Sequence, residues 1–193
     1  LYLLRHGEAK PGIGPLGDLK RPLSEAGEFH INQLSKVLES RKITFDLILV
    51  SPAVRTSQTA KILSKFVSSK EILVLDEIYD AELNDLVKIL NDVEGGVQNL
   101  LLVGHNPSLS LLVSYLTGIG SLSLNPGMMA IIESVSDEWT QIGKYTGILK
   151  EVISPRKRLS WRIHIFSAFL AQKKRFLIRK RLLELVFRMI LRI

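Results

Sequence analysis

Three short apolar runs constrain this chain more than any other feature. Leu1-Tyr2-Leu3-Leu4, Asp46-Leu47-Ile48-Leu49-Val50 and Asn99-Leu100-Leu101-Leu102-Val103 are apolar nearly without interruption, and each stops abruptly at a polar cluster. Runs of this length without polar alternation read as strands buried on both faces. Between them lie segments of helical period. One extends from a Ser24 cap to about Ser40, with Phe29, Leu34, Val37 and Leu38 on its apolar stripe; others span about 53–67, 84–93 and, from a Ser108 cap, 108–117. Ile72 to Leu75 reads as a further strand. Segments 128–135 and 140–149 read as a hairpin around Asp137-Glu138, and 9–23 as a Gly- and Pro-rich connection. Strands alternating with helices imply an α/β domain with a mainly parallel sheet, in which functional groups gather beyond the strands' carboxyl ends.

The residues at those ends are chemically specific. The first strand runs into Arg5-His6-Gly7-Glu8, the second into Ser51-Pro52 and, one turn later, Arg55, and the fourth into Gly104-His105-Asn106-Pro107. If the three strands are neighbours, two imidazoles and two guanidiniums share one rim. The chain has no cysteine, which excludes thiolate nucleophiles, thiolate metal sites and disulfides. An imidazole nucleophile amid fixed positive charge suits a phosphoryl group, because arginine forks match phosphate oxygens and stay charged. The helix after Val50 points a positive dipole end at the same place.

Leu3-Leu4-Arg5-His6-Gly7-Glu8-Ala9 resembles the Arg-His-Gly signature of the histidine phosphatase superfamily. Ser51 to Ala60 and Val103 to Pro107 resemble its later motifs in the same order, and Arg21 to Gly27 resembles a segment of the short, SixA-like phosphohistidine phosphatase branch. Four ordered motifs carry far more weight than one. The resemblance spans about residues 1–155. It implies a three-layer α/β/α sandwich of phosphoglycerate mutase-like architecture, in which His6 forms a covalent phosphohistidine. Arg5, Arg55 and His105 would hold the phosphoryl oxygens, with Arg21 and Asn106 as further substrate contacts. It also implies that neither metal nor cofactor is required. His6 would need an unprotonated ring nitrogen, its tautomer fixed by a hydrogen bond from the other nitrogen to a backbone carbonyl. The general acid is open among Glu82, Glu8 and Asp80. Its absence would favour a P–N substrate, whose imidazole leaving group is better than an alkoxide. The short loops between motifs fit a substrate carried on another protein, such as a His-containing phosphotransfer domain. A phosphomonoesterase for small sugar or nucleotide phosphates is the enzyme alternative, and a non-catalytic phosphate-binding adaptor with a membrane-targeting tail the alternative of another class.

Charge divides the chain in two. Residues 150–193 hold 13 Lys/Arg against 2 Asp/Glu, whereas 1–149 hold 13 against 17. The body is thus a poor nucleic-acid binder by charge. Residues 156–193 form an expected second segment, basic and amphipathic, ending in a helix from Leu182. An interfacial contact with anionic lipid is weighed against helices packed on the domain or across a dimer. Its longest charge-free run, 163–172, is too short to cross a bilayer, which takes about 20 residues. Arg5, His6 and Glu8 break the opening apolar run, so no signal peptide is read there, and the expected location is cytoplasmic.

Overall fold

A computed structural model of the chain describes residues 1–12, 15–120 and 122–154. The expected basic extension at 156–193 lies outside the described residues. The elements in order are β1 (Tyr2–Arg5), α1 (Pro15–Leu19), α2 (Glu25–Ser40), β2 (Phe45–Val50), α3 (Val54–Leu63), β3 (Ser69–Val74), α4 (Leu83–Asn91), β4 (Leu100–Gly104), α5 (Ser108–Thr117), β5 (Met129–Ser134) and β6 (Gly147–Ile153).

The strands form one six-stranded sheet in the order β3-β2-β4-β1-β5-β6. β3, β2, β4 and β1 are parallel, while β5 and β6 pair antiparallel beyond β1. The continuous apolar runs explain this arrangement, because both faces of the central strands are covered. On one face Leu3, Leu49 and Leu102 pack with Leu86 and Leu90 of α4 and Leu109, Leu112 and Leu116 of α5. On the other, Leu4, Ile48 and Val103 pack with Ile31, Leu34 and Leu38 of α2 and Leu63 of α3. Neighbouring residues of one strand thus feed opposite cores, as the period of two requires. Helices on both faces make three layers.

Local differences from the sequence expectations have physical causes. The connection 9–23 contains the short helix α1. Phe29, expected on the apolar stripe of α2, is 60% exposed, because Ile31, Leu34 and Leu38 define the face that meets the sheet. Ser24 caps α2 as expected, accepting from the Gly27 amide. Ser108 does not cap α5; Pro107 holds that position and the Ser108 hydroxyl donates to the His105 carbonyl. The last strand begins at Gly147, not at 140, because Trp139–Gln141 forms a 3-10 turn whose indole donates to the Val97 carbonyl. No helix among the described residues is long and apolar enough to cross a membrane.

Candidate active site

Because β1 lies beside β4 and β4 beside β2, the three polar clusters meet at one edge of the sheet. Arg5 is in register with Gly104, and Val50 with Val103. The ladders continue past the strands: the His6 amide donates to the Gly104 carbonyl at 3.2 Å, and the Ser51 amide to the Val103 carbonyl at 3.1 Å. This puts His6, Ser51 and His105 on one floor. Over it opens a cleft of about 820 Å³, lined by Arg5, His6, Arg21, Arg55 and His105 among others.

His6 is 8% exposed. Its Nδ1 lies 2.6 Å from the Gly7 carbonyl oxygen, so Nδ1–H donates there and Nε2 is left with a lone pair. That lone pair accepts from Arg55 Nε at 3.2 Å. Burial, then the charges of Arg55, Arg5 and Arg21, outweigh the Gly7 hydrogen bond and hold the imidazole down to about 4, neutral at physiological pH. Burial also holds His105 down, to about 3, with help from His6, Arg55 and Arg5 against the opposing pull of Asp18. Its Nδ1 accepts from Arg55 Nη2 at 3.3 Å, so the neutral ring carries its proton on Nε2 and donates to Ser51 Oγ at 2.7 Å. The two imidazole centroids are 5.1 Å apart.

Arg55 stands in the first turn of α3 and is 6% exposed. Its Nη1 donates to the Asp18 carbonyl at 2.6 Å and its Nη2 to Asp18 Oδ2 at 2.9 Å. Arg5 Nη1 donates to the Leu124 carbonyl, and Arg5 Nε is buried with no protein acceptor, alone in this among the side-chain nitrogens and oxygens of the described residues. Arg21 lines the cleft while its Nη1 pairs with Asp18 Oδ1 at 2.9 Å. Asn106 also lines it, but both ends of its amide are engaged, Nδ2 with the Leu124 carbonyl and Oδ1 with Ser110. Glu8, Asp80 and Glu82 line the mouth. Glu8 accepts from the Ser24 hydroxyl, and Glu82 stands at the start of α4 with its amide donating to Asp85.

Two residues of the site, Asp18 and Tyr79, are not singled out by the sequence pattern. The Asp18 carboxylate takes hydrogen bonds from Arg21, Arg55 and the Tyr79 hydroxyl, each at 2.9 Å. Burial pushes this carboxyl up, but the bonds from Arg21, Tyr79 and Arg55 win and hold it down to about 2. Its position three residues before Arg21 is the one signal the sequence offers. Among the described residues no cluster of His, Asp and Glu could hold a metal ion.

An α/β domain with a mixed, mostly parallel sheet and a neutral, tautomer-locked imidazole in an arginine-lined cleft defines a class: α/β proteins with a site suited to an anion. Residues 1–94, just under half of the chain, match the family described as the histidine phosphatase superfamily (branch 1). Its fold is similar to that of two proteins assigned as phosphohistidine phosphatase SixA. The one from Nakamurella multipartitia has a TM-score of 0.68 at 20% identity, over 81% of this chain and 96% of that one. The one from Agrobacterium tumefaciens has 0.67 at 24%, over 80% and 96%. The protein histidine phosphatase SixA complexed with tungstate gives 0.66 at 22%, again over 80% and 96%. No curated protein matches the chain in sequence.

Proposed function

We propose that the protein is a phosphatase that removes phosphoryl groups from phosphohistidine in a partner protein through a covalent intermediate on His6. The observation that carries this reading is the His6 ring, with Nδ1 spent on the Gly7 carbonyl and Nε2 unprotonated in the cleft. In the first step His6 Nε2 attacks phosphorus while the P–N bond of the substrate breaks, and the departing imidazole takes its proton from water. In the second, water attacks phosphorus, the His6 P–N bond breaks, and inorganic phosphate leaves with the lone pair restored to His6. Charge on the transferring group is met by Arg5, Arg55 and His105. Arg5 Nε, buried and without a protein acceptor, supplies a donor matched to a phosphoryl oxygen. Tungstate in one of the similar structures is a tetrahedral oxyanion of the same type.

Support for a P–N substrate comes from the carboxylates. Asp18, closest to the arginines, is held ionised and cannot donate a proton at neutral pH. Glu82 is set at a helix start and Glu8 is tied to Ser24. An imidazole leaving group tolerates this better than an alkoxide. The cleft mouth, with half-exposed Leu111 on its rim, suits a site on a protein surface such as a phosphotransfer domain. The test is turnover of a phosphohistidine-bearing phosphotransfer domain against a phosphoserine protein and small phosphate esters, with acid-labile phosphate trapped on His6. A preference for the esters defeats the P–N reading, and a failure to trap phosphoenzyme defeats the covalent one.

A further inference from the structure

Arg55 is the most heavily committed side chain in the cleft. Nε faces the His6 lone pair, and Nη2 also reaches His105 Nδ1. The two terminal nitrogens are held by a single residue, Asp18, through its backbone carbonyl to Nη1 and its carboxylate to Nη2. Asp18 comes from α1, within the connection between β1 and α2, and Arg55 from α3, so this contact is not a local helix pairing. The carboxylate is fixed from two further directions, by Arg21 on Oδ1 and by the Tyr79 hydroxyl, from the loop after β3, on Oδ2. Three guanidiniums, of Arg5, Arg21 and Arg55, line the cleft, and like charges this close repel. A carboxylate bonded to two of them offsets that repulsion and fixes the plane of Arg55, leaving Nε aimed at the reacting nitrogen of His6.

We propose that Asp18 is a positioning residue for Arg55, and that the Tyr79 hydroxyl acts on the reaction through Asp18. The proposal rests on the reading of Arg55 as a phosphoryl-stabilising group. Asp18 sets where the Arg55 charge stands relative to phosphorus in flight, so its loss falls on turnover more than on substrate capture. Misplacement of a charge by about 1 Å costs on the order of 100-fold in rate.

The experiment measures steady-state hydrolysis of phosphoimidazole, a small phosphoramidate, by the full chain and by Asp18→Ala, Asp18→Asn, Tyr79→Phe, the Asp18→Ala/Tyr79→Phe double variant and Arg55→Ala. Asp18→Ala is expected to lower kcat by about 10- to 100-fold with KM changed less than threefold. Asp18→Asn, which keeps the shape and one acceptor, is expected to recover part of that loss, and it serves alone if the alanine variant does not fold. Tyr79→Phe is expected to lower kcat by a few-fold in wild type and not at all in the Asp18→Ala background, the signature of two residues acting as one unit. Wild-type kcat in Asp18→Ala, or a Tyr79→Phe effect of equal size in both backgrounds, overturns the proposal. Arg55→Ala separates the two readings. If it too retains wild-type turnover, the role of Arg55 has failed. If it collapses while the Asp18 variants do not, the positioning role alone has failed.

Discussion

Replacing Gly27 by alanine should weaken the fold and the site together, against the usual rule for helices. Gly27 lies buried in the first turn of α2, where Gly→Ala ordinarily gains up to about 1 kcal/mol. Here a Cβ would meet the backbone of Glu8: its nitrogen at 2.9 Å, its carbonyl carbon at 3.0 Å and, closer still, its carbonyl oxygen. Comfortable carbon contacts begin near about 3.5 Å, so Glu8 must withdraw by at least about 0.5 Å. That carbonyl accepts from the Ser24 amide at 2.8 Å, which ties the loop after β1 to the start of α2. Overpacking against backbone costs about 1–3 kcal/mol. With a helix gain of about 1 kcal/mol subtracted, a net loss of up to about 2 kcal/mol is expected. Glu8 comes directly after the Gly7 carbonyl that fixes the His6 tautomer, so turnover should fall by about 10-fold or more as the imidazole shifts. The assay is urea unfolding with phosphoramidate hydrolysis in parallel. Gly95→Ala serves as the control, since its Cβ meets nothing within 4 Å. A Gly27→Ala protein with the midpoint and turnover of wild type would refute the reasoning.

His6→Ala should abolish both turnover and phosphoenzyme trapping while leaving the far-UV circular dichroism spectrum unchanged; residual trapping would place the nucleophile elsewhere. Stability should fall on acidification. His6 and His105 are held at about 4 and about 3, against an ordinary 6.5, so below about pH 6.5 the unfolded chain takes up protons that the folded one refuses. Their contribution is whole above that pH and is lost progressively towards pH 4 and 3, by at most about 1.4 kcal/mol per pH unit for each ring; Tm against pH checks this. Asp18 and Asp46, held at about 2, extend the loss between about pH 4 and 2. Inorganic phosphate at 100 times its Kd should stabilise the protein by about 2.7 kcal/mol, and the same concentration should do far less for Arg55→Ala. Thermal melts in phosphate and in chloride of matched ionic strength measure it.

Much of the fold is legible in residue order because its central strands are buried on both faces and therefore carry unbroken apolar runs. Their carboxyl ends are marked by the change to Arg5-His6, Ser51-Pro52 and His105-Asn106, which is where the cleft opens. The strand order β2-β4-β1, which brings these ends together, depends on contacts distant in sequence and leaves no local trace. Asp18 and Tyr79 escape sequence reasoning for a related reason. An Asp in a Gly- and Pro-rich connection and a Tyr after a strand are ordinary residues of turns; only the docking of α1 over the arginines gives them their partners. Apolar content misleads at Phe29 and at 140–146. Exposure of single large side chains is common on protein surfaces, and a 3-10 turn anchored by Trp139 takes residues that read as strand.

The register of the sheet has a consequence that reaches beyond any single side chain. Arg5 pairs with Gly104, so the two histidines next in sequence sit side by side just past the ends of adjacent parallel strands. Their ring separation of 5.1 Å is close to the ~4.8 Å repeat between any two neighbouring strands. The backbone hydrogen bonds that join the ends of β1 and β4 thus hold the two imidazoles near each other. Residues 80–83 at the mouth can therefore vary while the spacing of the two imidazoles stays the same, whereas Tyr79, bonded to Asp18, cannot.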